Sequence, residues 1–276
     1  MSATWHPASM LGALLPLFGR TMPPPPIHAG VSLDALRAKI TVGAPLDAPI
    51  SYLRAGSAGA RRLILVHGTP GRATQWADYL VEPPPGLETV AIDRPGFGMS
   101  GPDGAVLSLD AQAAAVAAVL GSPERPSILV GHSLGGPIVA LVAAWYPDRV
   151  AAVILLAAAV DPALERIHPL QPLGNWAPVR ALLGRTLRNA NAELMALKSE
   201  LGRLAPQLAA IRAPVVIVHG TDDDRVPFAN VAYLQRKLGG ACRVETTTLQ
   251  GANHFLPWTD AKAVRAAIAR AEALSC

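Results

Sequence analysis

The residues whose types and spacing most clearly indicate a chemical role form a glycine-rich segment around one serine. Gly131–Gly136 reads Gly-His-Ser-Leu-Gly-Gly and lies between an apolar run ending at Val130 and a helical pattern beginning at Gly135. A strand followed directly by a helix forces Ser133 onto a sharp, strained turn that exposes its hydroxyl, and the glycines leave room for the strand and the helix to approach. A serine hydroxyl is a weak nucleophile until a base takes its proton. Ser133 is therefore the predicted nucleophile.

The predicted base is His254. It lies in Gly251–Pro257, which reads Gly-Ala-Asn-His-Phe-Leu-Pro and falls between the last predicted strand and the last predicted helix. A lone histidine often has only a surface or capping role. A histidine on a loop at the end of a strand, in a chain that also carries the serine turn, is better explained as the group that accepts the serine proton.

An acid should hold the imidazole in its working tautomer and stabilise its cation. Residues 218–227 begin at the end of another buried apolar run and contain three consecutive aspartates, Asp222–Asp224. Adjacent side chains cannot all reach one imidazole, so the three are alternatives. Asp161 is a fourth candidate, because it follows the strand that comes after the helix of the nucleophile. Its neighbour Pro162 favours a role in the turn instead.

Acyl transfer also needs preformed donors for the negative charge that develops on the substrate oxygen. The N–H of Leu134 lies beside the nucleophile, at the start of a helix. A second donor should come from His67–Gly71, which reads His-Gly-Thr-Pro-Gly and follows a buried apolar run. Pro70 has no N–H, so Thr69 is the predicted second donor.

Short apolar runs alternate with helical patterns along most of the chain. The runs that predict strands are Arg37–Val42, Ile50–Leu53, Leu63–Val66, Thr89–Ile92, Ser127–Val130, Val150–Leu156, Val215–Val218 and Arg243–Leu249. The predicted helices are Ala73–Val81, Leu109–Leu120, Gly135–Trp145, Val231–Leu238 and Asp260–Leu274. This alternation predicts βαβ units and a mostly parallel sheet. The loops that carry the chemistry follow strand ends, where open α/β sheets bind their ligands.

The same pattern divides the chain into three parts. Residues 1–30 form an N-terminal tail with a proline-rich linker, residues 31–160 and 206–276 form one core, and residues 161–205 form an inserted helical lid. A connection as long as the lid is uncommon unless it has a function.

The lid has an apolar side, so we expect it to cover the active site and shape a hydrophobic pocket. Trp176 and Met195 of the lid, together with Phe255 beside the base, are the predicted substrate-binding residues. The alternative is that these apolar side chains only pack the lid on the core.

Composition excludes several classes of protein. The chain has 276 residues, a net charge of +4 and a mean hydropathy of +0.30. Its longest apolar run, Val150–Val160, is too short to cross a bilayer, which takes about 20 residues. Adjacent basic residues occur only as the pairs Arg61–Arg62 and Arg236–Lys237, whereas nucleic-acid binders concentrate positive charge on one surface. We therefore expect a small-molecule substrate, no nucleic acid and no transmembrane segment. The oligomeric state is not predicted.

The N-terminal segment and the cysteines indicate the cellular compartment of the protein. Met10–Phe18 is apolar but short, and no basic residue precedes it, so we expect no secretory signal; a weak contact with a membrane surface is its alternative role. Cys242 and Cys276 match no metal or redox spacing, and Cys276 ends the sequence, so we expect no structural disulfide. Together these features predict a cytoplasmic protein that uses no metal or cofactor.

Five motifs make the chain resemble the α/β-hydrolase superfamily, in its serine-nucleophile branch of esterases and lipases. They run in the family order from about residue 50 onward: His67–Gly71 resembles the family's H-G-x-P oxyanion loop, Asp93–Ser100 its D-x-P-G-x-G-x-S turn, Gly131–Gly135 its nucleophile elbow, Asp223–Pro227 its D-x-x-V-P acid loop, and Asn253–Phe255 its histidine loop.

The resemblance implies a fold and a triad. The fold is a mixed, mostly parallel sheet of about eight strands with helices on both faces and a small helical lid. The D-x-x-V-P pattern selects Asp223 as the acid, in the family order serine, acid, histidine. Haloalkane dehalogenases and epoxide hydrolases of this fold carry aspartate at the elbow, so Ser133 disfavours those reactions.

The implied activity is hydrolysis of a carboxylic ester, or a related acyl bond, of a small hydrophobic substrate through an acyl-enzyme. Two alternatives use the same triad: carbon–carbon bond hydrolases and proline iminopeptidases. The second needs lid acids that hold an ammonium group, and the lid offers only Glu165, Glu193 and Glu200 as glutamates. A non-catalytic binding protein is a further alternative, but such relatives usually lose a triad residue.

Overall fold

The computed structural model describes residues 32–167 and 169–276. The predicted tail and linker, with the apolar segment at residues 10–18 and the prolines at residues 23–26, lie outside the described residues. Residue 31 of the predicted core and residue 168 of the predicted insertion also lie outside them, and the rest of both parts lies within them.

The centre of the molecule is one sheet of eight strands in the order β1-β2-β4-β3-β5-β6-β7-β8. The strands are β1 Arg37–Val42, β2 Ala48–Gly56, β3 Arg61–Val66, β4 Leu87–Ile92, β5 Ser127–His132, β6 Val150–Leu156, β7 Val215–Gly220 and β8 Val244–Leu249. Strand β2 pairs antiparallel with both β1 and β4, and all other neighbours are parallel. The predicted mixed, mostly parallel sheet is confirmed.

Helices cover both faces of this sheet. They are α1 Ala77–Val81, α2 Leu109–Ala117, α3 Gly135–Trp145, α4 Ala177–Leu182, α5 Arg185–Leu204, α6 Asn230–Lys237, α7 Leu256–Thr259 and α8 Ala261–Ala273. Single turns of 3₁₀-helix at Leu33–Leu36, Ala73–Trp76, Pro147–Arg149, Gln171–Asn175 and Ala205–Ala210 complete the connections.

The central strands are apolar because both of their faces are buried. Along β3, Ile64 and Val66 pack into one hydrophobic cluster with α2 and α3, while Leu63 and Leu65 pack into a second cluster with α1 and α8. Side chains of a strand alternate between its two faces, so a strand that contributes to both clusters must be apolar at every position. This burial fixes the position of the loops at the carboxyl ends of the strands.

The predicted insertion, residues 161–205, contacts the core through its long helix α5. Leu197, Leu201 and Leu204 of α5 are buried in the same cluster as α3, at the spacing that places side chains on one helix face. The first part of the insertion instead exposes large apolar side chains, namely Ile167, Leu170, Leu173, Trp176, Leu182 and Leu187. Among the described residues, no helix combines the length and the apolar character that crossing a membrane requires.

The expectation of no structural disulfide was wrong. Cys242 and Cys276 form a disulfide, with their Cα atoms 5.8 Å apart. A helix that packs on a parallel sheet runs back along its strand, so the chain after α8 returns to the beginning of β8, where Cys242 lies. Position in the sequence alone does not reveal this return. Since disulfides are typical of oxidising compartments, the cysteines no longer argue for a reducing one.

Candidate active site

Ser133 lies on the sharp turn between β5 and α3. Its φ is +55°, a left-handed conformation that costs a non-glycine residue of order 1–3 kcal/mol. The flanking glycines permit the turn: a Cβ at Gly131 would collide with the carbonyl oxygen of Gly135, and a Cβ at Gly135 would collide with that of Val66. The turn is therefore packed directly against the end of β3.

The structure brings His254 and Asp223 into contact. His254 Nδ1 lies 2.8 Å from Asp223 Oδ2, and both side chains are buried. The other oxygen, Asp223 Oδ1, accepts the N–H groups of Arg225 at 2.9 Å and Val226 at 2.8 Å. Because a carboxylate can only accept, Nδ1 carries a proton, and in the neutral imidazole the lone pair is therefore on Nε2 of His254.

The hydrogen bonds keep this acid ionised. Burial alone would raise the pKa of the Asp223 carboxyl, but the neighbouring His219 imidazole and the hydrogen bond from His254 outweigh burial and hold the pKa below its ordinary value. An ionised carboxylate beside Nδ1 is the arrangement that stabilises an imidazolium when Nε2 takes a proton.

Two further histidines, which sequence reasoning did not single out, support the pair. His132 Nε2 donates to the carbonyl oxygen of His254 at 2.8 Å, and the two ring centroids are 4.8 Å apart. Burial, followed by the nearby charge of His254, lowers the pKa of His132 to about 3. His219 Nε2 donates to the Val226 carbonyl at 2.9 Å and lies 3.5 Å from Asp223 Oδ2. Their only signal in the sequence is their place inside the motifs.

The hydroxyl of Ser133 faces the loop after β3. A Cβ at Gly68 would lie 2.7 Å from the Ser133 Cβ and 3.2 Å from its hydroxyl oxygen. Within the described part of the chain, no hydrogen bond joins this hydroxyl to His254 or to any other group. Serine–histidine hydrogen bonds are often long before substrate binds. Since His132 precedes Ser133 and its ring packs on that of His254, the base lies next to the turn.

Two main-chain donors near the hydroxyl have no acceptor. In residues 32–167 and 169–276, the N–H groups of Thr69 and Leu134 donate no hydrogen bond. The Thr69 hydroxyl oxygen is also buried, with no hydrogen-bond partner among the same residues. Free donors beside a nucleophile are what an oxyanion requires.

The predicted substrate-binding residues are not all gathered at this site. Phe255 is buried, and its ring centroid lies 5.8 Å from that of His254. Trp176 is 63% exposed. Met195 is half-buried, and its sulfur accepts a hydrogen bond from Asn175 at 3.2 Å. Among the described residues, Phe255 alone of the three makes a ring contact or a hydrogen bond with a residue of the candidate site.

The alternative acid, Asp161, has a local role. Its Oδ1 accepts the N–H of Ala163 at 2.9 Å, and its own N–H donates to Asn230 at 2.8 Å. These contacts hold the turn at the start of the insertion. No group of three or more potential metal ligands occurs among the residues that the structure describes.

The chain is similar to known proteins. A sequence model described as Alpha/beta hydrolase family matches residues 63–267. Lipase LipV of Mycobacterium tuberculosis is 37% identical over 112 residues, which are 40% of this chain and 41% of that protein. Monoacylglycerol lipase of Mycolicibacterium smegmatis is 29% identical over 187 residues, covering 54% of this chain and 65% of that protein. The chain thus spans less than two thirds of the length of these relatives.

Solved structures share the fold. The 2-hydroxy-6-oxo-6-phenylhexa-2,4-dienoate hydrolase of Rhodococcus has a TM-score of 0.66 and 19% identity, covering 86% of this chain and 98% of that chain. Monoacylglycerol lipase of Paleococcus ferrophilus has a TM-score of 0.64 and 19% identity, covering 81% of this chain and 97% of that chain. At these identities the likeness concerns the fold alone. The family match covers most of the described chain, and the protein belongs to the alpha/beta hydrolase family.

Proposed function

We propose that the protein is a serine hydrolase that cleaves a carboxylic ester, or a related acyl bond, of a small hydrophobic substrate. The observation that carries the proposal is the buried hydrogen bond of 2.8 Å between His254 Nδ1 and Asp223, close to a serine held at a φ of +55°. A strained serine beside an oriented imidazole has no evident structural purpose, whereas catalysis explains both.

The proposed reaction begins with attack by the Ser133 oxygen on the acyl carbon, while His254 Nε2 takes the hydroxyl proton. The substrate oxygen becomes an oxyanion that accepts the N–H groups of Thr69 and Leu134. The intermediate then collapses to the acyl-enzyme, and the imidazolium gives its proton to the leaving alcohol. Water repeats the sequence with His254 as base, which releases the acid and restores Ser133.

The names of the relatives favour an ester. Lipase and monoacylglycerol lipase both denote ester hydrolases, and a further relative is a pimeloyl-[acyl-carrier protein] methyl ester esterase. The chain matches only part of the length of each of these proteins, so the ester class is our proposal for this chain.

Two of the three lid glutamates disfavour the iminopeptidase alternative. Glu193 is buried and paired with Arg94, while Glu200 is buried and accepts the N–H of Leu109 at 2.9 Å. Neither carboxylate is free to hold a substrate ammonium. The carbon–carbon hydrolase alternative has support only from fold, and we rank it second.

A panel of p-nitrophenyl esters with graded acyl chains tests the proposal, alongside amide and carbon–carbon substrates. We expect turnover of esters, and loss of turnover in Ser133→Ala by many orders of magnitude. If only the carbon–carbon substrates are turned over, the protein is a carbon–carbon bond hydrolase and the ester assignment is wrong. Near-native activity of Ser133→Ala would contradict the mechanism.

The insertion is proposed to act as a lid that selects the acyl chain. Phe255 lies beside the base, whereas Trp176 and Met195 belong to the insertion and would contact substrate only if the insertion covers the site. Substituting Trp176 or Met195 by alanine should therefore shift the preferred chain length on the same panel. An unchanged preference in both variants would favour the alternative that these residues only pack.

A further inference from the structure

A buried ion pair joins the insertion to the turn after β4. The Arg94 side chain is 0% exposed and that of Glu193, on α5, is 3% exposed. Arg94 Nη1 and Nη2 donate to the two carboxylate oxygens of Glu193 at 2.7 and 3.0 Å. Gln112 Nε2 donates to the same carboxylate at 2.8 Å. A bidentate pair of this kind fixes the plane of the guanidinium.

The same guanidinium also holds the loop after β3. Arg94 Nε donates to the carbonyl oxygen of His67 at 3.0 Å, and Nη2 donates to that of Gly68 at 3.0 Å. The guanidinium thus bridges a carboxylate of the insertion and two consecutive carbonyl groups of the candidate oxyanion loop.

His67 completes the arrangement. Its Nε2 lies 3.1 Å from the main-chain nitrogen of Arg94, which donates to it, so Nε2 carries no proton. Nδ1 is then protonated and donates to the Gly68 carbonyl oxygen at 2.7 Å. Burial, followed by the charge of Arg94, lowers the pKa of His67 well below its ordinary value, which keeps this neutral tautomer. Both lone pairs of the Gly68 oxygen are therefore occupied.

The direction of the Gly68 carbonyl sets the direction of the Thr69 N–H. The peptide between these residues is planar, and in a trans peptide the C=O and the N–H point in opposite directions. Two donors hold the carbonyl on the side of Arg94, so the N–H faces away from Arg94. Gly68 itself packs against the Ser133 side chain, which places this peptide beside the reacting atoms.

We propose that Glu193 is a positioning residue for the oxyanion hole, acting through Arg94. The claim rests on the proposed function, because it takes the Thr69 N–H as an oxyanion donor. Glu193 holds the guanidinium against the Gly68 carbonyl, and the carbonyl in turn aims the N–H. The insertion helix and the oxyanion hole then form one unit, and displacement of the helix would weaken transition-state binding before it weakened substrate binding.

Three variants test this claim. Glu193→Gln removes the charge that orients Arg94. The double variant Arg94→Met with Glu193→Leu removes both charges, which is often tolerated when a single buried charge is not. Glu200→Gln is the matched control, because Glu200 is also buried on α5 and ties it to the core through Leu109, but it does not contact the loop.

For each variant, kcat and KM on the preferred ester and the inhibition constant of a trifluoromethyl ketone are measured. The ketone forms a tetrahedral adduct whose oxyanion reports on the hole. Loss of one oxyanion donor costs about 10²–10³ in kcat, so misorientation should lower kcat by about 10- to 100-fold and raise the ketone constant by a similar factor. KM should change by less than about 3-fold, and Glu200→Gln should keep both values within about 3-fold.

Two results would overturn the claim. One is a folded double variant with wild-type kcat and ketone affinity. The other is an equal loss in Glu200→Gln, which would assign the effect to docking of the insertion. Failure of the proposed function gives a different result, because the wild-type protein would then show no ester turnover and no ketone inhibition.

Discussion

At the scale of single residues, the acid orients the imidazole of the base. Asp223 uses one oxygen to anchor its own loop through the N–H groups of Arg225 and Val226, and the other to bind His254. This division orients the carboxylate rigidly. It also explains why, of three consecutive aspartates, this one reaches the imidazole.

Asp223→Asn should leave the protein folded and lower kcat by about 10³–10⁴-fold. An amide can offer an N–H to Nδ1, which would favour the wrong tautomer, and it cannot stabilise the imidazolium. Steady-state kinetics and circular dichroism measure the two effects. Asp161→Asn serves as the control, since Asp161 only holds a turn. A large loss in the control with little loss in Asp223→Asn would show that the other acid is the catalytic one.

Residues within motifs could be predicted from the sequence, but partners distant in sequence could not. Local patterns name Ser133 and His254, the family resemblance selects Asp223, and the catalytic roles of all three remain predictions. The pair between Arg94 and Glu193 joins residues 99 positions apart. A pattern of apolar positions predicts that a helix face is buried, but it does not tell which buried charge meets which partner.

At the scale of elements, the start of the insertion contains a carboxyl that ionises with difficulty. Burial, followed by the charge of Asp161, raises the pKa of Glu165 to about 7. Between its ordinary value of 4.5 and about 7, the folded protein holds a proton that the unfolded chain has lost. The native state therefore loses relative stability as the pH rises through this window.

Glu165→Gln removes this penalty. Relative to the variant, the wild-type protein should lose about 1–3 kcal/mol of unfolding free energy between pH 5 and pH 8. Urea unfolding at the two values measures the difference. Glu272→Gln, at an exposed position on α8, is the control and should follow the wild type. A variant that loses as much stability as the wild type over this range would refute the account of Glu165.

The boundaries predicted from the sequence agree with those in the structure where an element is buried along most of its length. Val150–Leu156 and Gly135–Trp145 were predicted with the bounds that β6 and α3 have in the structure. The predicted helix Ala73–Val81 is instead a 3₁₀ turn followed by the short α1, and the predicted helix from Leu109 ends at Ala117 rather than at residue 120. Helix ends depend on local hydrogen bonds that periodicity does not describe.

At the scale of the whole molecule, the sheet gathers the candidate site at one edge. The loop after β3, the turn after β5, and the loops after β7 and β8 all begin at carboxyl ends of parallel strands. These strands are neighbours in the sheet, except where β6 separates β5 from β7. The site therefore depends on the integrity of the sheet and of the two helix layers that fix its strands.

The disulfide should stabilise that arrangement. Cys242 and Cys276 close a loop with a sequence separation of 34, which corresponds to about 4 kcal/mol in the chain-entropy treatment. Cys276→Ser should therefore lower the unfolding free energy by about 2–4 kcal/mol under oxidising conditions, with ester turnover at moderate temperature retained. Denaturant unfolding with and without reductant gives the comparison. Equal stability of the variant and the oxidised wild type would show that the bond contributes nothing.

The central claim is that Ser133 is a nucleophile activated by His254. Reaction with a fluorophosphonate, followed by peptide mass mapping, tests it most directly because no substrate needs to be known. The account predicts one adduct, on Ser133, that is absent in Ser133→Ala and forms at least about 10³-fold more slowly in His254→Ala. A wild-type protein that stays unlabelled, or that carries its adduct on another residue, would contradict the account.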